Sequence, residues 1–154
     1  MRREDKEITD QLVMNEIMRK AQVCRLGVSY NDMPYIIPMS FGYDHENRVL
    51  YFHSAPAGLK LLMLKENPQA CFEVDVESQV VPGELACDWT MRYQSVIGFG
   101  EVQFIEEIEE KQKALRIILQ QYTDRELSFK EEGLAKITIF KLNVFTMTGK
   151  KSGY

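Results

Sequence analysis

Only two of the 154 residues are histidine and three are cysteine, and these scarcities remove much catalytic chemistry from consideration. Cys24, Cys71 and Cys87 are an odd number without metal-ligand spacing, so no metal site and no disulfide framework are expected, only reduced, buried thiols in a cytoplasm. With two histidines, of which His45 sits in a turn between strands, no nucleophile–base pair is visible. No apolar run approaches the roughly 20 residues that span a bilayer, and the start of the chain is charged rather than signal-like. Basic charge is thin as well. The net charge is −4, and apart from Arg2-Arg3 and Lys150-Lys151 the cations are scattered, whereas a phosphate backbone is held by clustered ones. Neither nucleic acid nor membrane is an expected partner. Repeats, low-complexity tracts, linkers and a G-x-G-x-x-G dinucleotide fingerprint are also absent.

What remains is a globular composition, 45% hydrophobic and 27% charged, sufficient for one core in one domain over residues 1–154. The eight methionines suit a deformable core or a pocket for a flat ligand. The clearest local signal is VLYFHSAPAGLKLLML, from Val49 to Leu64. It opens as a short strand (Val49 to Phe52), breaks at His53-Ser54, passes through Ala55-Pro56-Ala57-Gly58, and becomes a helix from Leu59 that stops at Asn67-Pro68. A strand that ends in small residues and feeds a helix start aims several backbone N–H groups at one spot, with the positive end of the helix dipole behind them. That is an anion site. Lys60, in the first helical turn, opposes the dipole but suits a bound phosphate; the plainer alternative is a solvated lysine on an ordinary strand–turn–helix corner.

Upstream, Thr9 or Asp10 can cap a helix with Leu12, Ile17, Met18 and Ala21 on one face. Cys24 to Tyr30 and Tyr35 to Tyr43 read as strands around a hairpin turn at Asn31-Asp32, and a second turn, Asp44-His45-Glu46-Asn47, leads into the Val49 strand. Alternation sets Tyr35, Ile37, Met39, Phe41 and Tyr43 on one face and Ile36, Pro38, Ser40 and Gly42 on the other. The second face shrinks along its length. Glycine there marks close approach of a backbone or a ligand, or merely serves the following turn. Ala70 to Val76 alternates with Phe72, Val74 and Val76 inward. The long connection Val80 to Arg92, holding Cys87, Asp88 and Trp89, reads as a lid or a partner-contacting arm. Tyr93 to Phe104 is a strand whose Gly98 and Gly100 suggest a bulge, a barrel bend or a tight helix contact. Glu106 to Tyr122 is an amphipathic helix with Ile108, Leu115, Ile118, Leu119 and Tyr122 in one stripe. Leu134 to Met147 is a last strand, with a phase change between Ile139 and Phe140 that suggests another bulge. Six mostly antiparallel strands with three helices predict a mainly β (α+β) fold, a closed or split barrel flanked by helices.

The succession PMSFGY, LYFHSAPAGLKLLML, CFEVD, C-x-W-T-x-x-Y-x-S-V-x-x-x-G, a long helix beginning E-x-x-x-x-A-L, and a strand ending in TGK resembles the FMN-binding split-barrel proteins related to pyridoxamine 5′-phosphate oxidase. Within them it is most similar to the branch of Nim-type nitroimidazole resistance proteins. The similarity runs from about Glu16 to Lys150, and YFH-small-small-x-x-Gly-x-Lys is its most specific part. The resemblance implies a six-stranded antiparallel split β-barrel, homodimeric, with two FMN sites at the subunit interface. It implies that the backbone of Pro38, Met39, Ser40 and Phe41 meets the isoalloxazine edge, and that His53 and Ser54 lie under the ribityl-phosphate at the corner before Gly58. Lys60 would pair with the phosphate, Gln94 and Ser95 would complete the phosphate or ring contacts, and the Cys87 to Trp89 loop would cover the cofactor or touch the other subunit.

The chain departs from the oxidases proper. One lysine replaces their Arg-Arg or Arg-Lys grip, and Met147-Thr148-Gly149-Lys150 lacks the histidine of their C-terminal substrate motif, so vitamin B6 oxidation is not implied. The implied activity is FMN-dependent reduction of a small electron-poor substrate, a nitroaromatic or a quinone, with electrons from NAD(P)H or another donor. The alternatives are a flavin- or haem-binding module without turnover, with His53 as candidate haem ligand, and a dimeric interaction protein without cofactor. His53 is the one side chain placed for catalysis, to orient substrate or stabilise reduced flavin; otherwise it bonds a neighbouring backbone group as a structural residue.

Overall fold

The computed structural model describes residues 3–125, 128–129 and 131–154. Asp10 starts the first helix: its carboxylate accepts the Leu12 N–H at 2.8 Å, and α1 spans Gln11–Lys20. Starting there, the helix turns Met14, Ile17 and Met18 inward, while Leu12, expected on that face, is 72% exposed. The strands are β1 (Glu7–Ile8), β2 (Cys24–Tyr30), β3 (Met33–Met39), β4 (Phe41–Asp44), β5 (Val49–Ser54), β6 (Gln69–Val81), β7 (Thr90–Ile105) and β8 (Thr138–Ser152). The remaining helices are α2 (Leu59–Glu66), α3 (Ile108–Gln120) and α4 (Glu131–Leu134). Asn31 and Asp32 both take positive φ (49° and 60°), the conformation that suits a tight hairpin between β2 and β3.

Every pairing is antiparallel, in the order β3-β2-β6-β7-β8-β5-β4, with β1 added alongside β8. Among the described residues the sheet therefore has eight strands, not the six expected. The run from Tyr35 to Tyr43 divides at Ser40, and Glu7–Ile8 adds a short strand that two residues of sequence do not announce. Leu134 belongs to α4, and the last strand instead continues past Met147 to Ser152. The Val80 to Arg92 connection is mostly hairpin: β6 and β7 stay paired out to Val81 and Thr90, with a turn of helix at Ala86–Asp88 between them.

The two end strands, β3 and β4, are consecutive in the chain and separated by Ser40 alone, so the sheet rolls until its edges meet. Inward side chains from all around the wall form one core, with Leu26, Phe41, Leu50, Phe52, Phe72, Phe140 and Leu142 fully buried and α1 contributing Met14, Ile17 and Met18. A second cluster lies outside the wall, where Val49 and Tyr51 of β5, Ile105 and Ile139 pack under Ala114 and Ile118 of α3. Burial on both sides explains the phase change at Ile139-Phe140, which is no bulge: one residue faces α3 and the other the core. The register shift falls instead between Phe99 and Gly100, opposite Thr146 and Val144, so the extra residue is Phe145 of β8; of the bulge, bend or helix contact that Gly98 and Gly100 suggest, the irregularity lies beside them on the partner strand. Among the described residues, no helix is long and apolar enough to cross a membrane.

The small face at Gly42 is filled by backbone. A Cβ there would stand 2.5 Å from the main chain of Ile117 and Ile118, so α3 lies directly on the strand. Of the thiols, Cys24 is buried and pushed up by that burial, Cys71 is half-buried and Cys87 exposed, so the buried-thiol expectation holds fully for Cys24 alone. Gly42→Ala is expected to lower stability by about 1–3 kcal/mol in urea unfolding, since helix backbone has no rotamer with which to give way. In a timed labelling experiment read by mass spectrometry, a maleimide should modify Cys87 first and Cys24 only after denaturation.

Candidate functional site

The strand–turn–helix corner forms as the small residues predict. β5 ends at Ser54, whose hydroxyl donates to the Ala55 carbonyl at 2.7 Å. Gly58 then takes φ 145° and ψ 163°, a conformation that a side chain disfavours, and the space where its Cβ would stand is open. Among the described residues no side chain caps α2. The Gly58 carbonyl accepts from Leu61 at 3.1 Å and Leu62 at 3.3 Å, and among the described residues the N–H groups of Leu59 and Lys60 have no protein acceptor. Lys60 is half-buried on this first turn and makes no ion pair among the described residues.

His53 lies one residue before the corner, and its Nδ1 is buried without a hydrogen-bond partner among the described residues. Such an atom costs about 1–3 kcal/mol unless a bound group or water satisfies it. Successive strand residues face opposite ways. His53 follows Val49 and Tyr51 on the α3 side of the wall, and Ser54 follows Leu50 and Phe52 toward the core. The two therefore cannot both present side chains to one ligand on one face.

Continuing the β4–β5 register one step beyond Phe41↔Phe52 sets Ser40 beside His53. Ser40 is exposed and belongs to no strand ladder. Pro38 is exposed, whereas Met39 and Phe41 are buried, and the Phe41 N–H already donates to the Tyr122 hydroxyl at 2.9 Å. Of the four residues expected at a ring edge, Ser40 is thus the one that lies outside both ladders.

Gln94 and Ser95 do not join this corner. Ser95 aligns with Lys150 on β8 and His53 with Ile139, which in turn aligns with Ile105 of β7. Between Ser95 and Ile105 lies roughly 30 Å of strand path. Gln94 donates through Nε2 to Glu77 at 2.9 Å, and Glu77 stands at the β6 register shift with φ 56°. Glu77 also takes Lys20 at 3.0 Å, and its carbonyl accepts the Tyr154 hydroxyl at 2.8 Å. Ser95 is buried on the outward face of β7, beside Asp75.

Sequence reading missed Arg25, which sits beside Pro38 and ion-pairs with Glu73 at 3.0 Å and with Asp75. Burial raises the Glu73 carboxyl, a shift the Arg25 bond opposes. Its only signal was an outward position on a strand, which marks most surface arginines equally. The same outward sheet face exposes Ile36, Ile97 and Phe99 and holds a shallow groove of about 380 Å³ over Gly27 and Cys71. Among the described residues, no three His, Cys, Asp or Glu side chains gather as a metal site.

The family profile described as pyridoxamine 5′-phosphate oxidase matches residues 10–151. Among solved structures, a proposed 5-nitroimidazole antibiotic resistance protein from Bacteroides thetaiotaomicron is 35% identical, with a TM-score of 0.83 over 94% of this chain and 86% of that one. An FAD and haem binding protein from Mycobacterium smegmatis superposes with a TM-score of 0.84 at 18% identity, over 97% of this chain and 74% of that one. A proposed pyridoxamine 5′-phosphate oxidase from Listeria innocua gives 0.59 at 17% identity, over 89% and 94%. The last two share the fold alone. No curated protein matches the chain.

Proposed function

The chain belongs to the pyridoxamine 5′-phosphate oxidase family, and from that premise we propose that it is an FMN-binding oxidoreductase, a homodimer reducing a small electron-poor substrate such as a nitroaromatic or a quinone. The observation that carries this reading is the corner itself. An uncapped helix start, an open Gly58, a lysine without an ion pair among the described residues, an unpartnered buried imidazole nitrogen and a strand bend outside both ladders all lie within one short stretch of wall. These residues fit a ligand with an anionic head and a polar-edged ring.

Lys60 and the N–H groups of Leu59 and Lys60 hold the phosphate. Ser54, through its main chain, and Gly58 line the approach, Ser40 and the carbonyls of Pro38 and Met39 meet the ring edge, and the His53 side chain supplies a polar atom beside Ser40. FMN, when bound, supplies the two-electron chemistry; the chain orients the ring and excludes water from it. Gln94 and Ser95 reach the cofactor only from a second copy, because one chain holds them far from the corner. The exposed apolar side chains Ile36, Ile97 and Phe99 support such a contact, as do Leu85 and Trp89 on the β6–β7 arm. A second reading, haem held through His53, rests on the same unpartnered nitrogen.

An absorbance spectrum of the untreated protein separates these readings: a broad pair of flavin bands is expected, and a single sharp haem band instead would overturn the assignment. Lys60→Ala should weaken FMN binding by about 1–3 kcal/mol, measured by fluorescence titration; unchanged affinity removes the phosphate contact. Slowed flavin reduction in His53→Ala is the expected mark of a role in turnover, and an unaltered rate and substrate range would leave His53 purely structural.

A further inference from the structure

The place where the sheet opens is held apart by one hydroxyl group. The β2–β3 ladder runs to Cys24↔Met39, and two steps further the same register sets Gln22 opposite Phe41. Those two residues are not bonded to each other. The Tyr122 hydroxyl stands between them, accepting the Phe41 N–H at 2.9 Å and donating to the Gln22 carbonyl at 3.0 Å. The phenol thus replaces a rung of the ladder with a longer, two-bond bridge. Burial raises its pKa, although the Phe41 bond opposes the shift, so it keeps the proton that it gives to Gln22.

Two further contacts fix the wedge. Gly42 lies against the main chain of Ile117 and Ile118, so α3 touches the strand immediately beyond the bend. The neighbouring Gln121 donates through Nε2 to the carbonyls of Met18, Arg19 and Ala21, at 2.8, 3.0 and 2.9 Å, which ties the end of α3 to the end of α1.

We propose that Tyr122 is a positioning residue for the cofactor edge: its hydroxyl, wedged between Gln22 and Phe41, keeps Ser40 outside both ladders so that Ser40 can hydrogen-bond the ring. This rests on the flavin reading above and adds to it a residue that never touches the cofactor. Without the hydroxyl the two strands either close directly, Phe41 N–H to Gln22 carbonyl, or admit water, and in both cases Ser40 moves relative to the corner at Lys60.

The test compares wild-type, Tyr122→Phe and Gln121→Ala chains loaded with FMN, reading affinity by fluorescence titration, the visible spectrum, and midpoint potential against a reference dye. Tyr122→Phe should bind FMN about tenfold more weakly, with a displaced long-wavelength band and a shifted potential. Gln121→Ala should melt at a lower temperature with the spectrum and potential of the wild type. A Tyr122→Phe chain that loses only thermal stability overturns the proposal while leaving the flavin reading intact; a wild-type chain that takes up no FMN overturns both. Amide hydrogen exchange in the wild-type chain gives an answer that no variant's folding can obscure. The Phe41 amide should be protected with and without FMN, and the Ser40 amide only with it. Fast exchange at Phe41 in the free protein, or unprotected Ser40 in the complex, would sink the wedge.

Discussion

Backbone N–H and C=O groups along the edge of a sheet must find partners or remain open to water and to other chains, and in this protein the two edges are successive parts of one run, Met33 to Asp44. That run bonds β2 through its first half and β5 through its second, and one residue belongs to neither. The remaining architecture follows from this sharing. Rolling the sheet until its ends coincide encloses a single core, and the registers show the stagger that closure demands. Starting at Ser95 and passing through Asp75 to the continued rows at Ser40 and His53, then to Ile139, the circuit returns to β7 ten residues away, at Ile105. Tilted strands of this kind leave the ends of neighbouring strands at different heights. The corner after β5 stands open for that reason.

Much of this was legible because local rules and the fold agree. The Asn31-Asp32 turn, a cap at Thr9 or Asp10 that the structure settles on Asp10, and the stop of α2 before Asn67-Pro68 each depend on a few adjacent residues, and each appears where the residues require it. The misreadings share a different cause. Leu12 was assigned to the core by spacing alone, but helix phase depends on where the cap starts the first turn. Ile139-Phe140 was read as a bulge because alternation assumes one buried face, and α3 buries the other. Ser40 reads as mid-strand in the sequence because nothing local marks a residue that two ladders compete for.

The candidate site divides in the same way. Its contiguous part, His53 through Lys60, could be recognised as a corner from composition. Its assembled parts could not: Ser40 comes beside His53 through pairing, Arg25 comes beside Pro38 through a hairpin, and Tyr122 arrives from the turn after α3, some eighty residues downstream. Gln94 and Ser95, although adjacent in sequence, serve opposite surfaces of the strand. Gln94 is engaged with Glu77, and Ser95 lies on the outer wall with Ile97 and Phe99.

The placement of β8 between β7 and β5 bears on how the chain is made. β5 emerges from the ribosome long before its neighbour, and β1, which pairs Glu7 with Lys150, waits longer still. Until residues 138–152 arrive, a nascent chain carries two apolar strands with unsatisfied flanks, β5 and β7, and lacks the strand that joins them. Pairings so distant in sequence make for slow folding, and the unfinished intermediate is the kind of species that holding chaperones protect from self-association.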